Sequence, residues 1–452
     1  MKYHLITFGC QMNKNDSERI AGVLEGAGYE AATDKTDADV VVLNTCSVRQ
    51  SAEDRVFGHV RELSSLRTAR PNLIIAVTGC MPGRDHDGKL KSKLANADLF
   101  FPIADLPRLP DMLKNYSGVL KNTRIVEPRP TLARTSEYLA APLKRHTPRF
   151  HSYVTISTGC SNFCTFCVVP FSRGLQQNRP AADVLAEVRT AVTNGTKMIT
   201  LLGQNVDTYV PPDPASFGVN NPFTTGFASL LWEINQIPGV ERIHFTAPNP
   251  QDMNDEAIAA LALPKHVNYL HLPVQAGSNR VLKKMNRRYS RERYLDIIQK
   301  IKATRPGIAF GSDIIVGFCS ETDAEFEETL DLYRTVDFDI SYNAMYSVRT
   351  GTLANRLWHD DVPRTEKKRR WQALQQLMEE TTLRKNQHYV GKTVEVLVER
   401  FDQERNHCVG NSLEMKLVEF AGSPELIGTT VPVSITTAKT WVLQGVQTAP
   451  VV

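Results

Sequence analysis

Gly159-Cys160-Ser161-Asn162-Phe163-Cys164-Thr165-Phe166-Cys167 places three cysteines on one short loop, directly after a β-rich run over Tyr153 to Ser157. Three thiolates at this spacing can ligate three irons of a cubane cluster and leave the fourth iron without a protein ligand. A structural zinc site is the alternative, but such a site nearly always has four protein ligands. No fourth Cys or His follows at a suitable spacing. The loop therefore predicts a four-iron cluster with one open iron.

The segments after this loop continue the alternation of strand and helix. Five further β-rich runs have helical patterns between them: Lys197 to Leu202, Arg242 to Thr246, Asn268 to Leu272, Ile308 to Val316 and Asp339 to Tyr346. Together with the run before the loop they make six βα units, which predict an incomplete barrel.

The C-terminal part of the chain has a different pattern. A long helix is predicted over Arg364 to Gln387, and its basic run Lys367-Lys368-Arg369-Arg370 is either a solvated helix face or a phosphate contact. Short β-rich runs punctuated by glycine follow, at Thr393 to Glu399, Glu414 to Glu419 and Thr430 to Thr436. They predict a small β-barrel of about sixty residues, by analogy with compact oligonucleotide-binding barrels.

Three more cysteines lie in the N-terminal part, which repeats a βα rhythm. Cys10, Cys46 and Cys80 each follow a β-rich run, and helical patterns come next, over 16–27, 49–66 and 89–96. The runs are Tyr3 to Phe8, Asp39 to Asn44 and Leu73 to Thr78. Since the carboxyl ends of parallel strands share one edge of a sheet, we expect the three thiols to converge. They form a second cluster site or three buried core thiols, and their equivalent positions favour the cluster.

Bulk properties limit the class of protein. The chain has 452 residues, a formal net charge of +4 and eight cysteines. This charge permits a nucleic-acid partner without establishing one. No apolar run approaches the roughly 20 residues of a membrane span, and no signal-peptide pattern is present, so we expect a cytoplasmic protein without membrane association. In a reducing compartment clustered cysteines act as ligands, whereas the isolated Cys319 and Cys408 are expected in the core.

The motif C-x3-C-x-Phe-C at the head of six βα units resembles the radical S-adenosylmethionine (SAM) superfamily. The chain as a whole resembles the methylthiotransferase family of radical SAM enzymes, most closely the tRNA-2-methylthio-N(6)-dimethylallyladenosine synthases (MiaB type). The motifs that carry the similarity are Phe8-Gly9-Cys10-Gln11-Met12-Asn13, Asn44-Thr45-Cys46-Ser47-Val48-Arg49, Phe163-Cys164-Thr165-Phe166-Cys167-Val168-Val169-Pro170, Leu202-Gly203-Gln204-Asn205-Val206 and His271-Leu272-Pro273-Val274-Gln275.

The resemblance implies an α/β protein of three domains. These are a small parallel α/β methylthiotransferase domain with an auxiliary cluster over residues 1–135, a partial (β/α)6 radical SAM barrel over 146–385, and a small RNA-binding β-barrel, the TRAM domain, over 386–448. The proline-rich segment from Pro107 to Pro148 is expected to connect the first two. Two [4Fe-4S] clusters are implied, with metal ligands that are also the catalytic residues: Cys160, Cys164 and Cys167 for one, and Cys10, Cys46 and Cys80 for the other.

The implied reaction adds a methylthio group to carbon 2 of N(6)-isopentenyladenosine at position 37 of tRNA. One SAM molecule is the methyl donor and another is the radical source. Family alternatives act on threonylcarbamoyladenosine in tRNA or on a ribosomal-protein aspartate. The alternative from another class is an RNA-binding iron–sulfur protein without turnover, which would form no 5′-deoxyadenosine on reduction.

Four residues are implied as cofactor contacts. Phe166 is expected to border the adenine of SAM, and Gln204, Gln275 and Asp313 are further candidates. Gln204 and Gln275 have an alternative role, hydrogen bonding to buried loop backbone.

Other polar positions are less informative. His244 and His271 are interpreted as hydrogen-bonded strand histidines rather than ligands. The chain departs from the family at Gly317-Phe318-Cys319-Ser320-Glu321, where Gly-Phe-Pro-Gly-Glu is usual, and at Ala247-Pro248-Asn249-Pro250, where Thr-Ser-His-Pro is more frequent.

The resemblance also implies partners. These are the anticodon stem-loop of tRNA, an electron donor such as flavodoxin or ferredoxin, and an iron–sulfur carrier protein. The chain itself is expected to be a monomer.

Overall fold

The structure is a computed structural model that describes residues 1–47, 50–116, 132–143 and 150–448. Three regions follow one another along the chain: a parallel sheet with helices, an open βα barrel and a closed β-barrel. Short 3-10 turns, such as Ile103–Arg108, link some of the elements.

The N-terminal region is a five-stranded parallel sheet with the order β2-β1-β3-β4-β5. Its strands are β1 (Lys2–Thr7), β2 (Glu30–Ala31), β3 (Val40–Thr45), β4 (Ile74–Gly79) and β5 (Leu99–Phe100). Its helices are α1 (Gln11–Gly26), α2 (Gln50–Leu66), α3 (Cys80–Arg84), α4 (Lys89–Lys93), α5 (Leu109–Lys114) and α6 (Leu132–Ala140). Apolar clusters cover both faces of the sheet, so the central strand is buried along its whole length, as parallel sheets require.

The second region contains the largest apolar core. Its strands are β6 (His151–Thr155), β7 (Ser157–Thr158), β8 (Gln177–Asn178), β9 (Met198–Leu202), β10 (Arg242–Phe245), β11 (Tyr269–His271), β12 (Ala309–Val316) and β13 (Ile340–Met345). Its helices are α7 (Val169–Ser172), α8 (Ala181–Thr193), α9 (Gly226–Gln236), α10 (Asp255–Ala260), α11 (Asn279–Lys284), α12 (Arg291–Thr304), α13 (Asp323–Val336), α14 (Leu353–Leu357) and α15 (Arg364–Gln387).

Six parallel strands of this region form the predicted incomplete barrel. Strands β6, β9 and β10 make one sheet, and β11, β12 and β13 make another. A single parallel bridge between Ile243 and His266 joins the two sheets. The strands therefore follow one another in chain order, and their carboxyl ends face one rim of the barrel.

The C-terminal region is a closed five-stranded barrel with the order β14-β15-β16-β18-β17. Its strands are β14 (Thr393–Asp402), β15 (His407–Asn411), β16 (Leu417–Ala421), β17 (Thr430–Ala438) and β18 (Leu443–Gln447). A compact apolar cluster that includes Cys408 fills its interior, and Cys319 is likewise buried in the barrel core of the second region. The core positions expected for these two cysteines are thus confirmed.

Most predicted elements agree with the structure to within a few residues, and three details differ. The first helix begins at Gln11 rather than at Asp16, immediately after Cys10. The prediction lacked six short strands, namely β2, β5, β7, β8, β15 and β18. The connection expected over Pro107 to Pro148 contains α5 and α6, and the rest of it lies outside the described residues.

Two residues of the basic run on α15 differ from the expectation of a solvated face or a phosphate contact. Lys367 and Arg370 are buried, whereas Lys368 and Arg369 are exposed, as a solvated face predicts. The Lys367 ammonium lies 2.5 Å from Asp360, and the Arg370 guanidinium lies 2.9 Å from Glu321. Ion pairs with acidic side chains of the radical barrel therefore fix this helix in place. Among the described helices, none has the length and apolar character that a membrane crossing requires.

Candidate active site

The loop that carries Cys160, Cys164 and Cys167 is held by backbone contacts on several sides. The Gly159 N–H donates to Oε1 of Gln204 at 2.6 Å, and the Cys160 N–H donates to the Gly174 carbonyl at 3.1 Å. Gly159 has φ of +77°, and a Cβ there would lie 2.3 Å from the carbonyl oxygen of Leu175. Only glycine fits this close to the Leu175 carbonyl, so Gly159 defines the position of Cys160 beside it.

Burial raises the pKa of two of these thiols. It raises the pKa of Cys167 to about 12, with a smaller contribution from Cys164, and it also raises the pKa of Cys160. The guanidinium of Arg287 opposes this effect, and its Nη1 lies 3.4 Å from Sγ of Cys164. Iron binding requires deprotonated thiols, so this cation assists the loop in accepting a cluster.

The second cysteine trio lies at the carboxyl edge of the N-terminal sheet. Cys46 and Cys80 directly follow β3 and β4, and Cys10 precedes α1, which follows β1. A Cβ added to Gly9 would lie 2.6 Å from Cβ of Cys46, so the loop carrying Cys10 crosses directly beside it. The three strands are neighbours in the sheet. The predicted convergence therefore follows from the parallel topology.

Hydrogen bonds of polar side chains stabilise this edge of the sheet. The Asn13 side chain accepts from the Cys10 backbone and thiol at 3.4 Å and donates to the Asn44 side chain at 3.1 Å. Burial raises the pKa of Cys80, and the nearby Arg173 partly opposes that shift. The guanidinium of Arg173 donates from Nε to Sγ of Cys80 at 3.3 Å. Arg173 belongs to the radical region, so its side chain connects that region with the second cysteine site.

Each trio offers three thiols, a donor set of the kind that iron–sulfur clusters use. All six cysteines are free thiols. Within the described ranges, no three His, Cys, Asp or Glu side chains lie close enough together to hold one metal ion. A mononuclear zinc site, with its short metal–sulfur bonds, is thus not preformed at either trio.

The candidate SAM contacts have different environments. Phe166 packs edge-on against Phe318, with the ring centroids 6.5 Å apart. The Gln204 side chain accepts from the Gly159 backbone, as its alternative role predicts, and its role as a SAM contact stays a prediction. Gln275 has φ of +71° and pairs through its backbone with Ile314. The Asp313 carboxylate lies 3.2 Å from Nε2 of His271.

A cavity of about 150 Å³ extends into the open barrel. It is lined by residues of all three regions: Gln11, His151, Tyr153, Thr200, His244, Thr246, Glu399, Asn411 and Met415. Burial lowers the pKa of His244 to about 3, so its imidazole is neutral at physiological pH. Its Nε2 is buried and has no hydrogen-bond partner among the described residues. A larger cavity of about 330 Å³ between α8 and α9 contains no cysteine.

Sequence reasoning missed Arg173 and Arg287, although each donates a hydrogen bond to a cysteine sulfur. Arg173 lies shortly after Cys167, just beyond the motif that ends at Pro170, and that proximity was the available signal. Arg287 lies far along the chain, where nothing in the local pattern marks it.

Comparisons with known proteins agree with this geometry. Residues 2–102 match the Uncharacterized protein family UPF0004, residues 154–333 match the Radical SAM superfamily, and residues 387–447 match the TRAM domain. The tRNA-2-methylthio-N(6)-dimethylallyladenosine synthase of Acetivibrio thermocellus is 41% identical over 446 residues, covering 98% of this chain and 90% of the relative. The chain belongs to that synthase family. The Bacillus subtilis member is 40% identical over 449 residues, covering 98% of this chain and 85% of its own.

Solved structures of other radical SAM enzymes are similar in fold to this chain. The radical SAM methyltransferase TsrM of Kitasatospora setae, with cobalamin and a [4Fe-4S] cluster bound, has a TM-score of 0.55 at 13% identity, covering 78% of this chain and 76% of its own. The cobalamin-dependent radical enzyme OxsB, in its apo form, has a TM-score of 0.51 at 13% identity, covering 92% and 63%. The predicted family and three-part fold are confirmed. Membership of the Radical SAM superfamily implies one [4Fe-4S] cluster and SAM.

Proposed function

We propose that this protein adds a methylthio group to carbon 2 of N(6)-isopentenyladenosine at position 37 of tRNA. The observation that carries the proposal is the presence of two three-cysteine sites on separate regions, with Arg173 of the radical region donating to Cys80 of the other site. Relatives that share about two fifths of their residues with the whole chain are named as synthases of this class.

Two clusters are part of the proposal. Cys160, Cys164 and Cys167 would hold the first beside SAM, and Cys10, Cys46 and Cys80 would hold the second. When bound, these groups supply a 5′-deoxyadenosyl radical and a transferable methylated sulfur, respectively. Each trio would leave one iron without a protein ligand, and SAM and sulfur chemistry would need access to that iron. Phe166, Gln204, Gln275 and Asp313 remain proposed SAM contacts, with Gln204 also supporting the loop beneath them.

We assign the target base to the cavity lined by His244, Tyr153 and Thr200. Ring faces and hydroxyl groups suit an unstacked base, which proteins recognise by stacking and by hydrogen bonds to its edges. The neutral His244 imidazole has an unused ring nitrogen for such a bond. Gln11, beside Cys10, lines the same cavity, so a base there would lie next to the auxiliary site.

The C-terminal barrel is the proposed tRNA-binding surface. Trp441 is 52% exposed, and the exposed Lys439 lies on the same loop between β17 and β18. Base stacking on an aromatic ring together with phosphate attraction to a lysine is a typical single-strand RNA contact. Because Lys367 and Arg370 form buried ion pairs, they are not part of the proposed tRNA-binding surface.

The proposed roles of the three regions assume domain boundaries at 1–135, 146–385 and 386–448. These boundaries remain a prediction. The proposed partners are the anticodon stem-loop of tRNA, flavodoxin or ferredoxin as electron donor, and an iron–sulfur carrier protein. A monomer in the cytoplasm, where tRNA is modified, is the proposed state.

The test uses a bacterial strain that lacks its own methylthiotransferase but retains isopentenylated tRNA. The chain is expressed there, and tRNA nucleosides are separated and identified by mass spectrometry. We expect 2-methylthio-N(6)-isopentenyladenosine with the wild type and none with Cys46→Ala. A methylthio group on threonylcarbamoyladenosine or on a ribosomal-protein aspartate, with the isopentenyl nucleoside unchanged, would support the alternatives instead.

A further inference from the structure

Arg173 lies directly after α7 in the radical region, yet its side chain reaches into the N-terminal region. Its guanidinium is almost completely buried. Nη2 lies 2.5 Å from Oδ2 of Asp16, and Nε donates to Sγ of Cys80 at 3.3 Å. One cation thus has two partners on the opposite domain, a carboxylate and a cysteine sulfur.

The charges at this contact explain why the arginine is held so firmly. The Asp16 side chain is fully buried and also accepts a hydrogen bond from the Tyr138 hydroxyl. Arg173 and Asp16 thus form a buried ion pair beside the sulfur of Cys80.

Arg287 provides a comparison within the same chain. It donates to Sγ of Cys164 at 3.4 Å, but its other partners, the Tyr289 hydroxyl and the Pro273 carbonyl, belong to the same radical region. Arg287 therefore supports one cysteine site from within its own domain. Arg173, in contrast, extends from the loop region of one site to a ligand position of the other.

The docking of the two regions limits how this contact can move. A Cβ added to Gly83 would lie 2.2 Å from the Ser172 carbonyl oxygen, so α3 and α7 touch through their backbones. The residues that follow these two contacts, Arg84 and Arg173, are both buried. The guanidinium consequently has a fixed position relative to Cys80.

We propose that Arg173, which extends from the radical region, is a positioning residue that raises the reduction potential of the auxiliary cluster. Hydrogen bonds to ligand sulfurs and nearby charge are among the factors that set cluster potentials. A buried cationic donor stabilises the reduced, more negative cluster relative to the oxidised one. The inference rests on the proposed function, because it needs a cluster on Cys10, Cys46 and Cys80.

The test measures the auxiliary cluster alone. Full-length protein with Cys160, Cys164 and Cys167 replaced by alanine is reconstituted anaerobically, and iron is quantified before a redox titration followed by EPR. We expect Arg173→Gln to shift the midpoint potential to a more negative value and Arg173→Lys to restore part of the shift. The matched control Arg287→Gln should leave the midpoint unchanged.

A second variant gives a shift of opposite sign. Asp16→Asn keeps the hydrogen-bonding shape but removes the carboxylate that neutralises Arg173, so the midpoint should become more positive. If Arg173→Gln fails to load iron, the upward shift of the midpoint potential in Asp16→Asn tests the proposal instead. If iron-loaded variants have the same midpoint potential as the parent protein, the proposed role of Arg173 is overturned. A parent protein that binds no cluster would overturn the proposed auxiliary site, and the inference with it.

Discussion

Replacing Asp339 by asparagine should loosen the C-terminal barrel from the rest of the protein. The Asp339 carboxylate is buried where β13 begins, and it lies 2.9 Å from both Lys385 of α15 and Lys416 of the barrel. It also accepts the Phe310 N–H at 3.0 Å, which asparagine can still do. The substitution therefore removes one charge and little else, leaving two lysines without their shared anion.

The expected cost follows from this geometry. At 2.9 Å and an effective dielectric constant of about 20, each pair attracts by roughly 6 kcal/mol before desolvation is counted. Desolvation offsets much of that attraction, and breaking a buried pair on one side costs about 3–5 kcal/mol. Lys385 is 21% exposed, so water recovers part of the loss and the lower end applies. We expect Asp339→Asn to reduce barrel stability by about 3 kcal/mol.

Hydrogen exchange at the amides of β14 to β18, read by mass spectrometry, measures this stability locally. A loss of about 3 kcal/mol corresponds to roughly a hundredfold faster exchange where local opening limits the rate. The control is Asp337→Asn, because Asp337 pairs with Lys385 and Arg384 but is 39% exposed. An exposed pair contributes about 0–1 kcal/mol. Equal exchange in both variants would refute the reasoning.

The difference in stability between Asp339→Asn and the wild type depends on pH with a defined sign. Burial alone would raise the pKa of Asp339, but Lys416 and Lys385 lower it below its ordinary value. A carboxyl with a lowered folded-state pKa stabilises the protein above its unfolded pKa, near 4, and loses that effect as the pH falls through the folded value. The difference between Asp339→Asn and the wild type should stay constant from about pH 5.5 to 8. A steady decline across that range would contradict the assignment.

Three further substitutions separate the parts of the site. Cys164→Ala should abolish 5′-deoxyadenosine formation from SAM, measured by chromatography; retained cleavage would overturn the first-cluster assignment. Cys46→Ala should leave 5′-deoxyadenosine formation intact and stop sulfur insertion into tRNA, and wild-type thiolation would exclude the auxiliary cluster. Trp441→Ala should weaken tRNA binding about tenfold in a filter assay, from a stacking contribution of about 1–3 kcal/mol, without affecting SAM cleavage; unchanged affinity would remove the barrel loop from the interface.

The sequence predicted the parallel elements because their signals are local. Val40 to Leu43 form a continuous apolar run, and such a run bounded by turn residues indicates a buried strand. The convergence of Cys10, Cys46 and Cys80 then followed from a topological rule about strand ends. Neither step needed information from distant parts of the chain.

The features that were missed depend on distant partners. Strands β15 and β18 are short and contain glycine, and they are strands because the barrel closes around them. Lys367 and Arg370 are charged residues that folding buries against Asp360 and Glu321, and no local pattern shows which charges will pair. The contact of Arg173 with Cys80 crosses a domain boundary, so it also required the three-dimensional structure.

The most direct test of the proposed activity is one anaerobic reaction with purified, reconstituted protein, isopentenylated tRNA, SAM and a reductant. Mass spectrometry then quantifies modified nucleosides and 5′-deoxyadenosine in the same sample. We predict that 2-methylthio-N(6)-isopentenyladenosine and 5′-deoxyadenosine appear together. Formation of 5′-deoxyadenosine with an unmodified isopentenyl nucleoside would contradict the proposed substrate, and the absence of both products would contradict the radical chemistry itself.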